Sequence, residues 1–161
     1  MKRLTQILFF LTILFIGFVA CKTNTHIIVD NMGQSKSNED NADSADSRLR
    51  IRIGSKTFTA TLLENETASA FKARLPITVA MSDLNGNEKL YNFSGNMPVN
   101  SSKPGTIRTG DLMLYGAGTL VLFYKTFSTQ YSYTKLGRID DASGLAAAVG
   151  SGNVTVTFEP E

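Results

Sequence analysis

Reactive side chains are scarce in this chain, and the scarcity is informative. There is one cysteine, Cys21, and one histidine, His26, and both stand near the amino terminus. Histidine is the side chain that most readily exchanges a proton near neutral pH, and the thiolate of cysteine is the nucleophile and metal ligand. Everything beyond His26 must work without them. That removes serine and cysteine triads, histidine general bases, cysteine–zinc sites and disulfides. Gly116-Ala117-Gly118 is a lone Gly-x-Gly between two apolar runs, so it reads as a turn rather than a phosphate loop. Asp83, Asn85, Asn87 and Glu88 have the look of a calcium loop, but the glycine and the distal glutamate are not at the required spacing. The Asn85-Gly86 turn accounts for the same residues. Asp140 and Asp141 stand where helix caps belong, and Glu64 and Glu66 flank a helix start. No metal and no cofactor is expected.

What remains is aromatic. Tyr115, Phe123, Tyr124, Phe127, Tyr131 and Tyr133 fall within 19 residues. One account is packing plus a surface ladder. The other is a groove for a peptide or a small apolar ligand, because rings with polar tips suit such clefts. In the second account Tyr115, Tyr124, Phe127, Tyr131 and Tyr133 are the candidate binding residues. Met81 supplies an adaptable wall, and Lys125 to Thr129 form a loop at the rim.

Two further regions precede the segment that bears these rings. Lys2 and Arg3 lead an apolar stretch from Ile7 to Val19, followed by Ala20 and Cys21. A spanning helix needs about 20 apolar residues; this run is shorter and holds Thr12. The layout is that of a secretory signal peptide, with cysteine at the first mature position. It resembles the lipobox of bacterial lipoproteins, although Phe18 replaces the usual leucine. That resemblance implies acylation of Cys21, membrane attachment through the lipid, and a place in the bacterial cell envelope. Lys22 rather than aspartate after the cysteine is similar to outer-membrane sorting, with either the periplasmic or the outer face compatible.

Residues 1–20 are therefore read as a leader, 21–47 as a tether and 48–161 as one folded domain. Gln34 to Ser47 carries no aromatic residue and no aliphatic one larger than alanine, too little apolar surface to offset the entropy of ordering. Residues 48–161 hold 12 basic and 9 acidic side chains. Nucleic-acid binding would need a clustered basic face. Arg48, Arg50 and Arg52 instead alternate with Leu49, Ile51 and Ile53, as on the wet face of a strand.

The domain's patterning is mostly β. Residues 48–53 and 56–62 alternate with period two around Gly54-Ser55, which predicts a hairpin. Asn65 is placed to cap a helix with Ala68, Phe71 and Leu75 on one stripe. Ile77, Val79 and Met81 alternate up to a turn over residues 83–87, with Tyr91 and Phe93 beyond it. Residues 94–110 read as a long loop. Leu112 to Tyr115 and Leu120 to Tyr124 read as strands buried on both faces or set in a barrel wall. Tyr131 and Tyr133 are expected on one face of another strand, residues 140–149 as a second helix ended by Gly150, and Val154, Val156 and Phe158 as a last strand. The expected architecture is mainly β, an antiparallel barrel or sandwich with helices over its open ends.

The segments IRIGSKTFTATL, TASAFKARLPITVAMSDLNGNEK, GTIRTGDLMLYG, LVLFYKTFSTQYSYTKLGRIDD and GLAAAVGSGNVTVTFE resemble the bacterial cyclophilin-like domain family over residues 48–159. The resemblance implies a closed eight-stranded barrel capped by two short helices. Cyclophilins proper are peptidyl-prolyl isomerases that set an arginine beside an apolar platform. Their Phe-His-Arg motif is missing here; Arg138 and Arg108 are the weak stand-ins. Three functions are compatible: a binding module on a lipid-anchored stalk, an atypical prolyl isomerase or folding factor of the envelope, or a structural envelope protein.

Overall fold

A computed structural model describes residues 47–161. The leader, Cys21 and the tether up to residue 46 lie outside the described residues. Among the described residues no helix is long and apolar enough to cross a membrane.

The chain opens with the expected hairpin, β1 (Arg48–Ile53) and β2 (Lys56–Leu62). Gly54 at the turn has φ +57°, a conformation that glycine adopts without steric cost. Leu49, Ile51 and Ile53 are buried and the arginines between them are not. Helix α1 (Glu66–Lys72) follows. Its cap is Asn65, whose side-chain oxygen accepts the Ala68 N–H at 2.8 Å. Thr67, Ala68 and Phe71 form its buried face.

Strand β3 (Ile77–Leu84) and strand β4 (Glu88–Asn92) flank the Asn-Gly turn. Asn85 and Gly86 both take positive φ, which suits the two residue types that tolerate it best. The expected long loop is interrupted by β5 (Thr106–Ile107). Strands β6 (Asp111–Tyr115) and β7 (Thr119–Phe123) form a second hairpin over Gly116-Ala117-Gly118. Strand β8 (Phe127–Ser128) pairs with β5. Strand β9 (Thr134–Ile139), helix α2 (Leu145–Val149) and strand β10 (Val154–Pro160) complete the domain.

Eight strands close into a barrel in the order β1-β10-β3-β4-β7-β6-β9-β2, with β5 and β8 as a separate two-stranded piece. Its interior is largely apolar: Leu49 and Ile51, Met81, Leu112 and Leu114, Leu120 and Leu122, Val156 and Phe158 are all fully buried. The helices cover opposite ends. Phe71 of α1 meets the Phe158 ring edge-on at 5.7 Å, near where Phe158 pairs with Ile77. The carbonyl of Gly150, which ends α2, instead reaches Lys89, near where Lys89 pairs with Asp83.

Two expectations need correction. Residues 129–133 are not a strand. Thr129 N–H donates to Gly105, and Tyr133 exchanges backbone hydrogen bonds only with Ser102, so this segment is held by the 102–105 loop. The second helix starts at Leu145 rather than near residue 140. Gly144 at its start sits at φ +79°, which no right-handed helix continues through. Asp141 caps only the preceding bend, accepting the Ser143 N–H at 2.9 Å.

One glycine is demanded by closure. Gly137 of β9 lies between Leu62 of β2 and Leu112 of β6. A β-carbon there would fall on the Thr61 carbonyl oxygen and stand 2.9 Å from Leu62 Cα, both backbone atoms. Next to it the β6–β9 register shifts, with Leu112 opposite Gly137 and Met113 opposite Lys135. Such a bulge bends the strand and tightens its twist. We expect Gly137→Ala to destabilise the fold by at least about 1–3 kcal/mol, the usual cost of overpacking. A denaturant midpoint equal to that of the wild type would show that β2 and β9 are not so close.

Candidate functional site

Strand alternation decides which candidate side chains can meet. On β7, Leu120 and Leu122 face the barrel interior, while Val121 and Phe123 face outward into a second apolar cluster with Ile107, Met113 and Tyr133. Strand β4 pairs Lys89 with Leu122, and Glu88 and Leu90 with Phe123 and Val121. Lys89 therefore points into the barrel, and Glu88 and Leu90 point out.

The outward face carries a chain of rings. Tyr131 meets Tyr115 edge-on at 6.2 Å, and Tyr115 meets Tyr133 at 5.5 Å. Tyr133 stands on Phe123 at 5.4 Å, and Phe123 on Phe127 at 5.8 Å. Five of the six clustered aromatics are thus contiguous. At the open end lies a pocket of about 240 Å³, lined by Leu84, Asn85, Glu88, Leu90, Tyr115, Thr119, Val121, Tyr131 and Tyr133. Tyr131 is 65 % exposed and Tyr115 47 %, large values for aromatic rings.

The other candidates lie elsewhere. Phe127 packs at the far end of the ring chain. Met81 is fully buried in the barrel interior. Tyr124 follows Phe123 and so faces the opposite way; its hydroxyl donates to Asp83 Oδ2 at 2.6 Å. Arg138 is exposed, with its Nε 3.6 Å from Asp111 Oδ1. Arg108 is also exposed, and its backbone N–H donates to Asp111. Both arginines belong to the Asp111 end of β6. Tyr115 is at the other end, four residues and roughly 13 Å along the strand.

Two charged groups carry more than the sequence suggested: Glu88, set aside there as part of the turn, and Lys89, which it did not single out. Lys89 is fully buried, and its ammonium donates to Asp83 Oδ2 at 2.7 Å, the Gly150 carbonyl at 2.9 Å and the Gly152 carbonyl at 2.6 Å. Its hydrogen bond, with that of Tyr124, holds the Asp83 carboxyl down at about 2. Burial, reinforced by Asp83, pushes the Tyr124 phenol up to about 12. Glu88 has no such shell. It is only 8 % exposed, and its Oε2 is buried without a hydrogen-bond partner. Burial and the nearby Asp83 charge hold its carboxyl above the usual range. Burial, and then Glu88, likewise push the Tyr133 phenol up. A charged pair next to an Asn-Gly turn is ordinarily solvated, so the signal was only the parity of residues 88–91 against β7.

A larger hollow of about 450 Å³ lies between Lys56–Thr59 and Asp140–Gly144. There Arg48 stands 2.7 Å from Glu161 and 3.7 Å from Asp140, and Asp140 accepts from Thr61. Among the described residues no group of histidine, cysteine or carboxylates could hold a metal ion.

Known proteins support the fold. The model of a family described as the Cyclophilin-like family matches residues 51–159. The solution structure of the hypothetical protein AF2241 from Archaeoglobus fulgidus is similar, with a TM-score of 0.55 and 22 % identity over 73 % of this chain and 97 % of that one. At that identity the likeness concerns the fold alone. No curated protein matches the chain.

The position of Glu88 gives a signed prediction. A carboxyl whose folded-state value is raised contributes stability that is full below its unfolded value, near 4.5, and is lost as pH rises through the folded value. Glutamine is neutral throughout and loses nothing. Thermal unfolding should therefore show Glu88→Gln more stable than wild type at pH 7–8, with the gap closing towards pH 4. A loss of stability at neutral pH would contradict a buried, unpartnered carboxylate.

Proposed function

The chain belongs to the Cyclophilin-like family, and from that fold and its pocket we propose a binding module for a peptide or small ligand, carried on a lipid anchor in the bacterial cell envelope. The observation that carries the binding half is the pocket between β4, β7 and the 129–133 segment. Two tyrosines stand exposed at its rim, a third is buried in its wall, and Leu90 and Val121 add apolar surface. Apolar walls with a few polar tips are the usual make-up of small-molecule sites. The ring chain gives the rims a rigid backing, so little ordering entropy opposes binding.

The anchoring half rests on Lys2, Arg3, the apolar run and Cys21. Each buried methylene contributes about 0.8 kcal/mol, and one chain anchors only marginally, so a cysteine bearing several chains would be held stably. The isomerase reading gains no support from the pocket, because neither Arg108 nor Arg138 lines it.

Two measurements test the proposal. In the ¹⁵N-labelled full chain, held in detergent, 3-phenylpropanol should shift the amides of Leu90, Thr119 and Val121. Tyr131→Ala, at an exposed position, should weaken that binding about two- to tenfold, the scale of one aromatic contact of roughly 0.5–1.5 kcal/mol. Shifts confined to other regions would remove the pocket from consideration. For the anchor, Cys21→Ser should move the protein from the membrane fraction to the soluble one; retention in the membrane would refute acylation as its attachment.

A further inference from the structure

We propose that this pocket selects organic cations, a primary ammonium on an apolar or aromatic arm, with Glu88 as the counter-charge and Tyr115, Tyr131 and Tyr133 as the surrounding rings. The inference rests on the binding reading above and names the ligand class of the same site. Of the nine residues lining the pocket, Glu88 alone carries a formal charge. Its Oε2 is buried and accepts no hydrogen bond, although buried carboxylate oxygens are ordinarily satisfied.

The neighbouring cation does not answer it. Lys89 points into the barrel, where Asp83 and the carbonyls of Gly150 and Gly152 take its ammonium protons. The opposite strand offers no donor either: Glu88 is paired across the ladder with Phe123, and Leu90 with Val121. An acceptor without a donor, set in an apolar wall, is a poor structural device and a good half of an ion pair. The rings supply a second preference of the same sign. Tyrosine faces are electronegative and attract an ammonium held over them. The tilts of 89° between Tyr115 and Tyr131 and 52° between Tyr115 and Tyr133 turn the three rings different ways around one space. A carboxylate and ring faces together disfavour anions and are indifferent to neutral ligands.

The test compares two probes of almost the same shape, 3-phenylpropylamine and 3-phenylpropanol, by calorimetric titration into the full chain in detergent at pH 7.5. We expect the amine to bind at least about tenfold more tightly, the scale of one hydrogen bond to a charged group. Glu88→Gln should erase that preference, bringing the affinities of the two probes together. Leu84→Lys, at an exposed rim position, supplies a resident ammonium and should weaken the amine more than the alcohol; it keeps the test decisive should Glu88→Gln fail to fold. Equal affinities in the wild type would overturn the cation inference while the pocket reading stood. A preference that survives Glu88→Gln would overturn the role of Glu88. Binding of neither probe would overturn both the inference and the reading on which it rests.

Discussion

The barrel is organised around one buried cation. Taking an ammonium out of water costs several kcal/mol even after relaxation. Lys89 meets that cost with three hydrogen bonds, and bonds to charged groups contribute roughly 1.5–3 kcal/mol each. Losing any one of these oxygens would leave a buried charge short of a partner, which is strongly destabilising. Those oxygens come from separate parts of the chain: Asp83 from β3, and Gly150 and Gly152 from the loop between α2 and β10. Tyr124, just past β7, completes the set by donating to Asp83. One side chain thus fixes where α2 lies over the barrel mouth and how β3, β4 and β7 align.

Register follows from the same constraint. Side chains on a strand alternate, so a slip by one residue turns each of them to the other face. With Lys89 committed to the interior, Glu88 is committed to the outside. Its outward position is thus a consequence of burying its neighbour, and the pocket inherits its charge from that choice. Two opposite charges, adjacent in sequence, end in different environments: one saturated with partners, the other without any.

The outer surface of β4, β6 and β7 then has to be covered. Met113, Val121 and Phe123 are apolar on the side away from the barrel interior. The excursions around β5 and β8 provide the cover, with Ile107, Phe127 and Tyr133 packed on that face. The cover stops short of the far end of the strands, and Tyr115, Leu90 and Thr119 are left lining a hollow beside Tyr131. The pocket is the uncovered remainder of a two-sided sheet, which is why rings that pack at one end of the cluster are exposed at the other.

This explains what was legible in the sequence. The first hairpin, the Asn65 cap and the Asn-Gly turn are local features, readable from alternation and turn chemistry. The apolar runs at Leu112 and Leu120 showed burial on both faces, though not what lay on the second. Parity within β7 separates Tyr124 from Phe123, and the alternation of Val79 and Met81 places Met81 inside; grouping aromatics by proximity along the chain overlooked both. Residues 129–133 alternate like a strand, but their partners are at 102–105, a pairing no local pattern encodes. Glu88 and Lys89 were the least visible, because a charged pair beside a turn is solvated in most proteins. Fold and chemistry therefore come apart here. The barrel is that of the Cyclophilin-like family, while in this chain Arg108 and Arg138 gather around Asp111 and the charge in the wall of the aromatic pocket is negative.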